Sequence, residues 1–375
     1  MRHFHALTPG DHFSPRTGSA IATVVHGLSQ HTRPRPAVLV ARGTYEPRYD
    51  SALVIEYELG QGFHGTRRTA RLKDAAQGAL GGARPLLRTQ LAPVVSGQDS
   101  WDPGVVIAHN APQLIPLVSP RHVAVLYAHN QLLRSYTPLE ARRVLDGVHR
   151  IVAVSDVTAA ALSRRLTPRL RQRIAVVHNG VDGGRFRSRP RVSSEGPLRV
   201  TFLGRVVPDK GAHVLLDAVS ALRGVHLSVR VVGSAGFDPT APLTTYEESL
   251  RRRARSSSTP VTFTPSLDRD GVVTVLRATD VLVVPSVWPE PFGLTALEGM
   301  AAGCAVVASD VGGLPEAVGQ AGILVPPNSP QALTEVLEGL AQDRGLLSRY
   351  QALGERRSLE RDWRNVAAEL ALALR

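Results

Sequence analysis

The 375-residue sequence holds a single cysteine, Cys304. One thiol excludes an internal disulfide framework and a cysteine-rich zinc site. Its setting, AAGCAVVAS, is that of a small buried hydrophobe. Aromatic residues make up 5% of the chain, too few for an aromatic-rich all-β module. No apolar run has the length of a membrane-spanning helix. The opening, MRHFHALTPGDHFSPRTG, lacks the apolar stretch of a signal peptide, so a cytoplasmic location is expected. There is no GxxxxGK[ST] loop and no GxGxxG after the first strand, which argues against P-loop and dehydrogenase chemistry. No His/Asp set with metal-ligand spacing is visible, and neither a metal nor a bound cofactor is expected. Lysine is also scarce: of 44 basic residues only Lys73 and Lys210 are lysine. Where arginine fills nearly every basic position, a retained lysine marks a place that needs a compact charge.

What is present is an alternation of short apolar runs and longer helical patterns. The runs Ala37–Val40, Val105–Ala108, Val123–Tyr127, Ile151–Val154, Ile174–Val177, Arg199–Leu203, Leu227–Val232, Val281–Val284 and Ala305–Ala308 read as strands. Helical spacing covers Ser19–Gln30, Pro138–Gly147, Val157–Leu166, Ala212–Ala221, Glu247–Arg255, Asp270–Ala278, Leu294–Ala302 and Pro330–Leu340. Such alternation predicts parallel sheets covered on both faces, a doubly wound α/β architecture. The alternation breaks at residues 183–197, GGRFRSRPRVSSEGP, which reads as a linker. Domains at 1–190 and 191–361 are therefore expected, with a terminal helix at 362–375.

Charge is divided unevenly between these halves. Residues 1–195 carry 26 Lys and Arg against 13 Asp and Glu; residues 196–375 carry 18 against 19. The basic half reads either as an arginine-rich coding bias or as a face for an anionic partner. Arg67, Arg68, Arg71 and Lys73 form one candidate contact with anionic membrane. Arg164, Arg165, Arg169, Arg171 and Arg173 form another. No RNA-binding aromatic signature or helix-turn-helix accompanies them, so nucleic acid is not an expected partner.

Three motifs carry candidate chemistry. In Phe202–Gly211, FLGRVVPDKG, a strand ends at Gly204, and Arg205 and Lys210 bracket the loop that follows. A fork-shaped and a point-like cation together suit a diphosphate. In Pro285–Glu298, PSVWPEPFGLTALE, a strand leads through a proline-stiffened turn at Glu290 into a helix. The N–H groups of Gly293, Leu294 and Thr295 at that helix start suit an anion, and Glu290 and Glu298 suit the vicinal hydroxyls of a sugar or a ribose. In Pro15–Ala20, PRTGSA, Gly18 precedes a helix; phosphate or sugar binding there and an ordinary Ser19 N-cap are equal readings. Three strands also end in His-Asn, at His109–Asn110, His129–Asn130 and His178–Asn179. Polar residues at strand carboxyl ends are candidates to face a ligand.

Taken together, GRVVPDKG, VVGSAG, PSVWPEPFGLTALEGMAAGCAVVASDVGGLPE and GILVPP resemble the retaining glycosyltransferases of family 4, and the likeness extends over nearly the whole chain. PEPFGLTALEGMAAG resembles the E-x7-E signature of that family. The resemblance implies a GT-B fold, in which two Rossmann-like domains face each other across a cleft. It implies a nucleotide-diphosphate sugar as donor substrate, with Arg205 and Lys210 on the diphosphate, Glu290 on the sugar and Glu298 on the ribose. Gly293, Leu294 and Thr295 would offer amides, Gly204 would border the phosphates, and Gly233, Ser266 and Leu267 would lie near the nucleoside. His129, preferred to His109, matches the active-site histidine. The catalytic set so implied is His129, Glu290, Arg205 and Lys210. The N-terminal loop departs from the family, which often has two adjacent glycines where this chain has Thr17-Gly18. The connection Ala235–Tyr246 resembles a subgroup associated with spore-coat or cell-envelope sugars. The acceptor is not fixed by any motif. A GT-B nucleotide-sugar epimerase and a nucleotide- or nucleic-acid-binding protein stand as the alternative readings.

Overall fold

The computed structural model describes residues 1–59, 68–80, 84–187, 196–236, 238 and 240–375. The chain divides into two compact units. Met1–Pro15, Ser19–His178 and Trp363–Arg375 form the first; Arg16–Gly18 and Asn179–Asp362 form the second.

The first unit is built on seven strands: β1 (Arg2–Ala6), β2 (Ala37–Ala41), β3 (Leu53–Tyr57), β4 (Gly104–His109), β5 (Val123–Ala128), β6 (Arg150–Ala153) and β7 (Ile174–Val176). Their order is β3-β2-β1-β4-β5-β6-β7, and every pair is parallel. The second unit has six: β8 (Leu198–Leu203), β9 (Leu227–Val232), β10 (Val261–Thr264), β11 (Val281–Val284), β12 (Ala305–Ser309) and β13 (Ile323–Val325). Their order is β10-β9-β8-β11-β12-β13, again all parallel. Each unit is a doubly wound, Rossmann-like α/β fold, as the alternation predicts. Strands β2, β4 and β12 are buried along their whole length, which explains their apolar runs. In each sheet the strand order reverses beside the first strand, between β1 and β4 and between β8 and β11. Ligand crevices in such sheets open at the carboxyl ends of these strands.

Four strands escape the apolar-run reading. Strands β3, β10 and β13 are partly exposed sheet edges: β3 and β10 mix polar with apolar residues, and β13 is only three residues long. Strand β1 is central, but its apolar run is interrupted by His3 and His5. The longest helix, Arg344–Glu360, also lacks an apolar stripe, because only Leu347, Gly354 and Ser358 of it are buried. Residues 183–186, read from composition as linker, form a helical turn capped by Asp182 and anchored by buried Phe186. The linker stretch 188–195 lies outside the described residues, as do Phe237 and Pro239 of the Ala235–Tyr246 connection.

Helix Trp363–Ala373 belongs to the first unit and packs on helix Ala20–His31. A Cβ on Gly27 would lie 2.3 Å from the Trp363 ring, so glycine makes room for the indole. Ser19 caps helix Ala20–His31, its hydroxyl accepting from the Ala22 N–H. Of the basic candidates, Arg67 lies outside the described residues, and Arg68, Arg71 and Lys73 fall on helix Arg68–Ala79. Arg171 donates to the carbonyls of Ser163 and Leu166, and Arg173 to those of Asp146 and Val148. Those two arginines are engaged in closing local turns. No helix among the described residues is long and apolar enough to cross a membrane.

Candidate functional site

In the second unit the sequence-predicted motifs converge on the carboxyl ends of β8 and β11. Two interlocked turns shape this edge. The Gly204 N–H donates to the Val232 carbonyl (3.1 Å), and the Gly233 N–H to that of Thr264 (2.9 Å). A Cβ on Gly233 would lie 1.9 Å from the Gly204 carbonyl oxygen, so the backbones approach as only glycine allows. Beyond β8, Pro208–Lys210 makes one tight turn that ends at Gly211, whose φ is +71°. The Asp209 carbonyl accepts from the N–H of Val287 (3.0 Å) and of Trp288 (3.4 Å), docking this turn on the loop after β11.

That docking brings Lys210 to Glu290. The Lys210 Nζ donates to the Glu290 Oε1 at 2.6 Å, and the Ser286 Oγ donates to the same oxygen at 2.6 Å. The Glu290 side chain is 11% exposed and that of Lys210 28%, so the pair sits at the rim, shielded but reachable. One lysine proton is spent on Glu290, which leaves two donors for a ligand. The Glu290 Oε2 has no partner among the described residues. The Glu290 main chain is fixed from behind: its carbonyl accepts from the Gly313 N–H at 2.7 Å, and a Cβ on Gly312 would lie 2.4 Å from its oxygen. Gly312 and Gly313 thus form the floor of the turn.

Gly293, at φ +119°, opens helix Leu294–Ala301 without a side-chain cap. The N–H groups of Gly293, Leu294 and Thr295 have no partner among the described residues, as an anion site at a helix start requires. Glu298 is buried one turn further on and pairs with Arg269 at 2.7 Å. Arg205 is exposed and its side chain makes no hydrogen bond or ion pair with the described residues, so it is available to a ligand but not paired with the Lys210 site. The Ser266 N–H donates to the Ser234 Oγ (3.2 Å), which ties the loop carrying Ser266 and Leu267 to the turn after Gly233. Gly18 falls, with Arg16 and Thr17, among the residues of the second unit. Gly211→Ala is expected to destabilise this unit by about 3 kcal/mol, because a Cβ there would lie 1.8 Å from the Pro285 carbonyl oxygen. An unchanged thermal midpoint would show that the two turns are not in contact.

The structure adds residues that motif reading passed over. Ser286, Arg269, Gly312 and Gly313 each hold one of the two glutamates. The glycine pair stands inside the quoted motif, and only its approach to Glu290 gives it a role. In the first unit, His109 and His129 are not alternatives. Their rings are joined by a 2.7 Å hydrogen bond, and His109 is joined in turn to His5 at 2.9 Å. Burial pushes His129 down to about 3. Burial, with the nearby His3 and His129, does the same to His5. His109 also falls well below the usual histidine range through burial beside both partners. Asn110, at φ +54°, makes the turn after β4, and its Oδ1 accepts from the His129 N–H at 2.7 Å. It is a structural residue. Cys304 is buried, and its thiol donates to the carbonyls of Leu276 and Thr279.

Residues 197–343 match the family model of glycosyl transferases group 1. The chain is 34% identical over 276 residues to a D-inositol 3-phosphate glycosyltransferase of Streptomyces avermitilis, covering 68% of this chain and 59% of that protein. It is 29% identical over 294 residues to a glycogen synthase of Mycobacterium tuberculosis, covering 72% and 68%. The chain thus spans less than two thirds of the length of the inositol phosphate glycosyltransferase. Among solved structures, Anabaena HepE in complex with UDP-glucose matches with a TM-score of 0.72 at 18% identity, over 100% of this chain and 99% of that one. The trehalose-6-phosphate synthase OtsA matches with a TM-score of 0.75 at 14% identity, over 100% and 99%. The fold is therefore that of GT-B proteins, and residues 197–343 of the second unit are similar to the group 1 glycosyl transferases.

Proposed function

We propose that the protein is a retaining glycosyltransferase of the family 4 type, moving a hexose-type sugar from a nucleotide-diphosphate donor to an acceptor hydroxyl. The observation that carries this reading is the Lys210–Glu290 pair, set beside the unpartnered N–H groups of Gly293, Leu294 and Thr295 at the switch point of the second sheet. A cation and helix-start amides suit the departing diphosphate; the free carboxylate oxygen suits a sugar hydroxyl. The group 1 match over residues 197–343 supports the reading.

In the proposed reaction, the bond from the anomeric carbon to the phosphate oxygen breaks as that carbon bonds the acceptor oxygen on the same face. The acceptor proton passes to the departing phosphate oxygen. Arg205, Lys210 and the amides stabilise the negative charge that develops on the leaving group. Glu290 positions the sugar and forms no covalent bond to it. Glu298, held by Arg269, receives the ribose hydroxyls. No metal enters the scheme, and turnover is expected to be unchanged by EDTA. Acceptors of the cell envelope, and peripheral docking of the basic first half on anionic membrane inside the cell, belong to the same proposal. Flotation with anionic vesicles at low salt tests the docking.

The experiment for the donor site is a thermal-shift titration with UDP, GDP, ADP and dTDP and their sugars, run beside Lys210→Ala. Stabilisation by one nucleotide family, lost in the variant, supports the site and identifies the base. No stabilisation by any of them overturns the reading. Transfer of labelled sugar to an acceptor, against epimerisation of the donor, separates the transferase from an epimerase.

A further inference from the structure

Three linked histidines of the first unit occupy a place that the proposed reaction does not explain. Strands β1, β4 and β5 are neighbours, and the sheet order reverses between β1 and β4. His5 lies on β1, His109 ends β4, and His129 follows β5. Their rings form one chain across the switch point: the His5 Nδ1 meets the His109 Nε2 at 2.9 Å, and the His109 Nδ1 meets the His129 Nε2 at 2.7 Å. His5 and His109 are fully buried and His129 is 6% exposed, so only His129 reaches the surface. At the inner end, the His5 Nε2 is buried and has no hydrogen-bond partner among the described residues. At the outer end, the His129 Nδ1 likewise has none.

A neutral imidazole carries one N–H and one lone pair, so two hydrogen bonds in series admit two polarities. In the first, His129 donates from Nε2 to His109, His109 donates from Nε2 to His5, and the His5 Nε2–H is stranded in the core. In the second, His5 donates from Nδ1 to His109, His109 donates from Nδ1 to His129, and the His5 Nε2 keeps only a lone pair. A buried N–H without an acceptor is the rarer and costlier orphan. Neutrality follows from burial, which lowers the pKa of all three rings far below 7. The second polarity therefore prevails, and it leaves the proton of His129 on Nδ1.

We infer that His5 and His109 are positioning residues that lock His129 as its Nδ1–H tautomer, so that the carboxyl end of the first sheet offers a hydrogen-bond donor to a hydroxyl or phosphate oxygen. In this state His129 has no lone pair at its open edge and does not act as a general base there. The tautomer depends only on the first unit; its consequence for turnover rests on the proposed function.

The test uses the full chain labelled with ¹⁵N-histidine. Long-range ¹H–¹⁵N correlation spectra report which ring nitrogen carries the proton, and the His129 signals are those lost in His129→Gln. The expected result is a protonated Nδ1 and a bare Nε2 in the wild-type protein. In His109→Phe the Nε2 of His129 loses its donor, and the ring is expected to shift toward the Nε2–H form that a neutral histidine side chain prefers in water. A wild-type His129 protonated on Nε2 overturns the inference, as does a tautomer unchanged in a folded His109→Phe. If that variant does not fold, the wild-type spectrum decides alone. In transfer assays His109→Phe is expected to lower kcat while leaving KM for the donor unchanged. The spectra need no substrate, so a chain that binds no nucleotide would overturn the proposed function and leave this measurement decisive.

Discussion

Lys210→Ala is expected to lower turnover by about 10²–10³-fold, the effect of removing one preorganised donor from a developing anion. The structure sharpens this expectation, because Lys210 also neutralises Glu290. Without it, a side chain only 11% exposed is left with a single hydroxyl partner, Ser286 Oγ, on Oε1. Under the proposed function the variant loses both a donor to the phosphate and the partner that orients the Glu290 carboxylate. Lys210→Arg is not expected to rescue it, since the tight turn closed by Gly211 positions a point charge rather than a planar fork. If the pair acts as a unit, Lys210→Ala combined with Glu290→Gln should cost little more than the worse single variant. Initial rates with saturating donor measure this. Wild-type rates in both Lys210→Ala and Arg205→Ala would remove the diphosphate from this loop.

Lys210 also shows what was legible in the sequence. Its rarity against a background of arginine singled it out before any contact was known, and the loop–helix placement of Glu290 singled out its partner. Legibility failed where function rests on approach rather than on side-chain type. Gly312 contributes only the space that lets a backbone pass Glu290, and Arg269 is one arginine among many until Glu298 is found beside it. The same holds for the fold. Buried strands such as β4 and β12 contain clear apolar runs, whereas the edge strands β3 and β10 mix in polar residues and β13 is only three residues long. Strand β1 was hidden by its histidines, which alternate along it as an exposed polar face would. His5 is instead fully buried, satisfied on one side by His109 across the sheet, a contact 104 residues away in sequence that periodicity cannot report.

Glu140→Ala is expected to destabilise the first unit by about 3–5 kcal/mol, because removing one partner of a buried ion pair leaves the other charged and unpaired. The Arg84 guanidinium binds the Glu140 carboxylate through two bonds, Nε to Oε1 at 2.5 Å and Nη2 to Oε2 at 3.0 Å. Glu140 is fully buried and the Arg84 side chain is 9% exposed. Gln113 donates to the same carboxylate at 3.3 Å, Arg84 donates to the Ser135 carbonyl at 3.0 Å, and its guanidinium lies over the Tyr136 ring at 4.1 Å. The pair therefore joins the start of helix Pro85–Leu91, helix Pro138–Val144 and the loop between Leu133 and Thr137. Asp74 completes the junction by accepting from the N–H groups of Leu86 and Leu87, because Arg84, the N-cap residue, gives its own helix no side-chain cap. The cost of Glu140→Ala comes from the stranded guanidinium more than from the lost attraction. Replacing both partners by apolar residues of similar size, Arg84→Met with Glu140→Leu, is accordingly expected to recover most of the loss. Chemical denaturation of the two variants beside the wild-type protein measures both effects. A loss below about 1 kcal/mol in Glu140→Ala would give the pair the value of a solvated surface contact, and would mean that water reaches this junction.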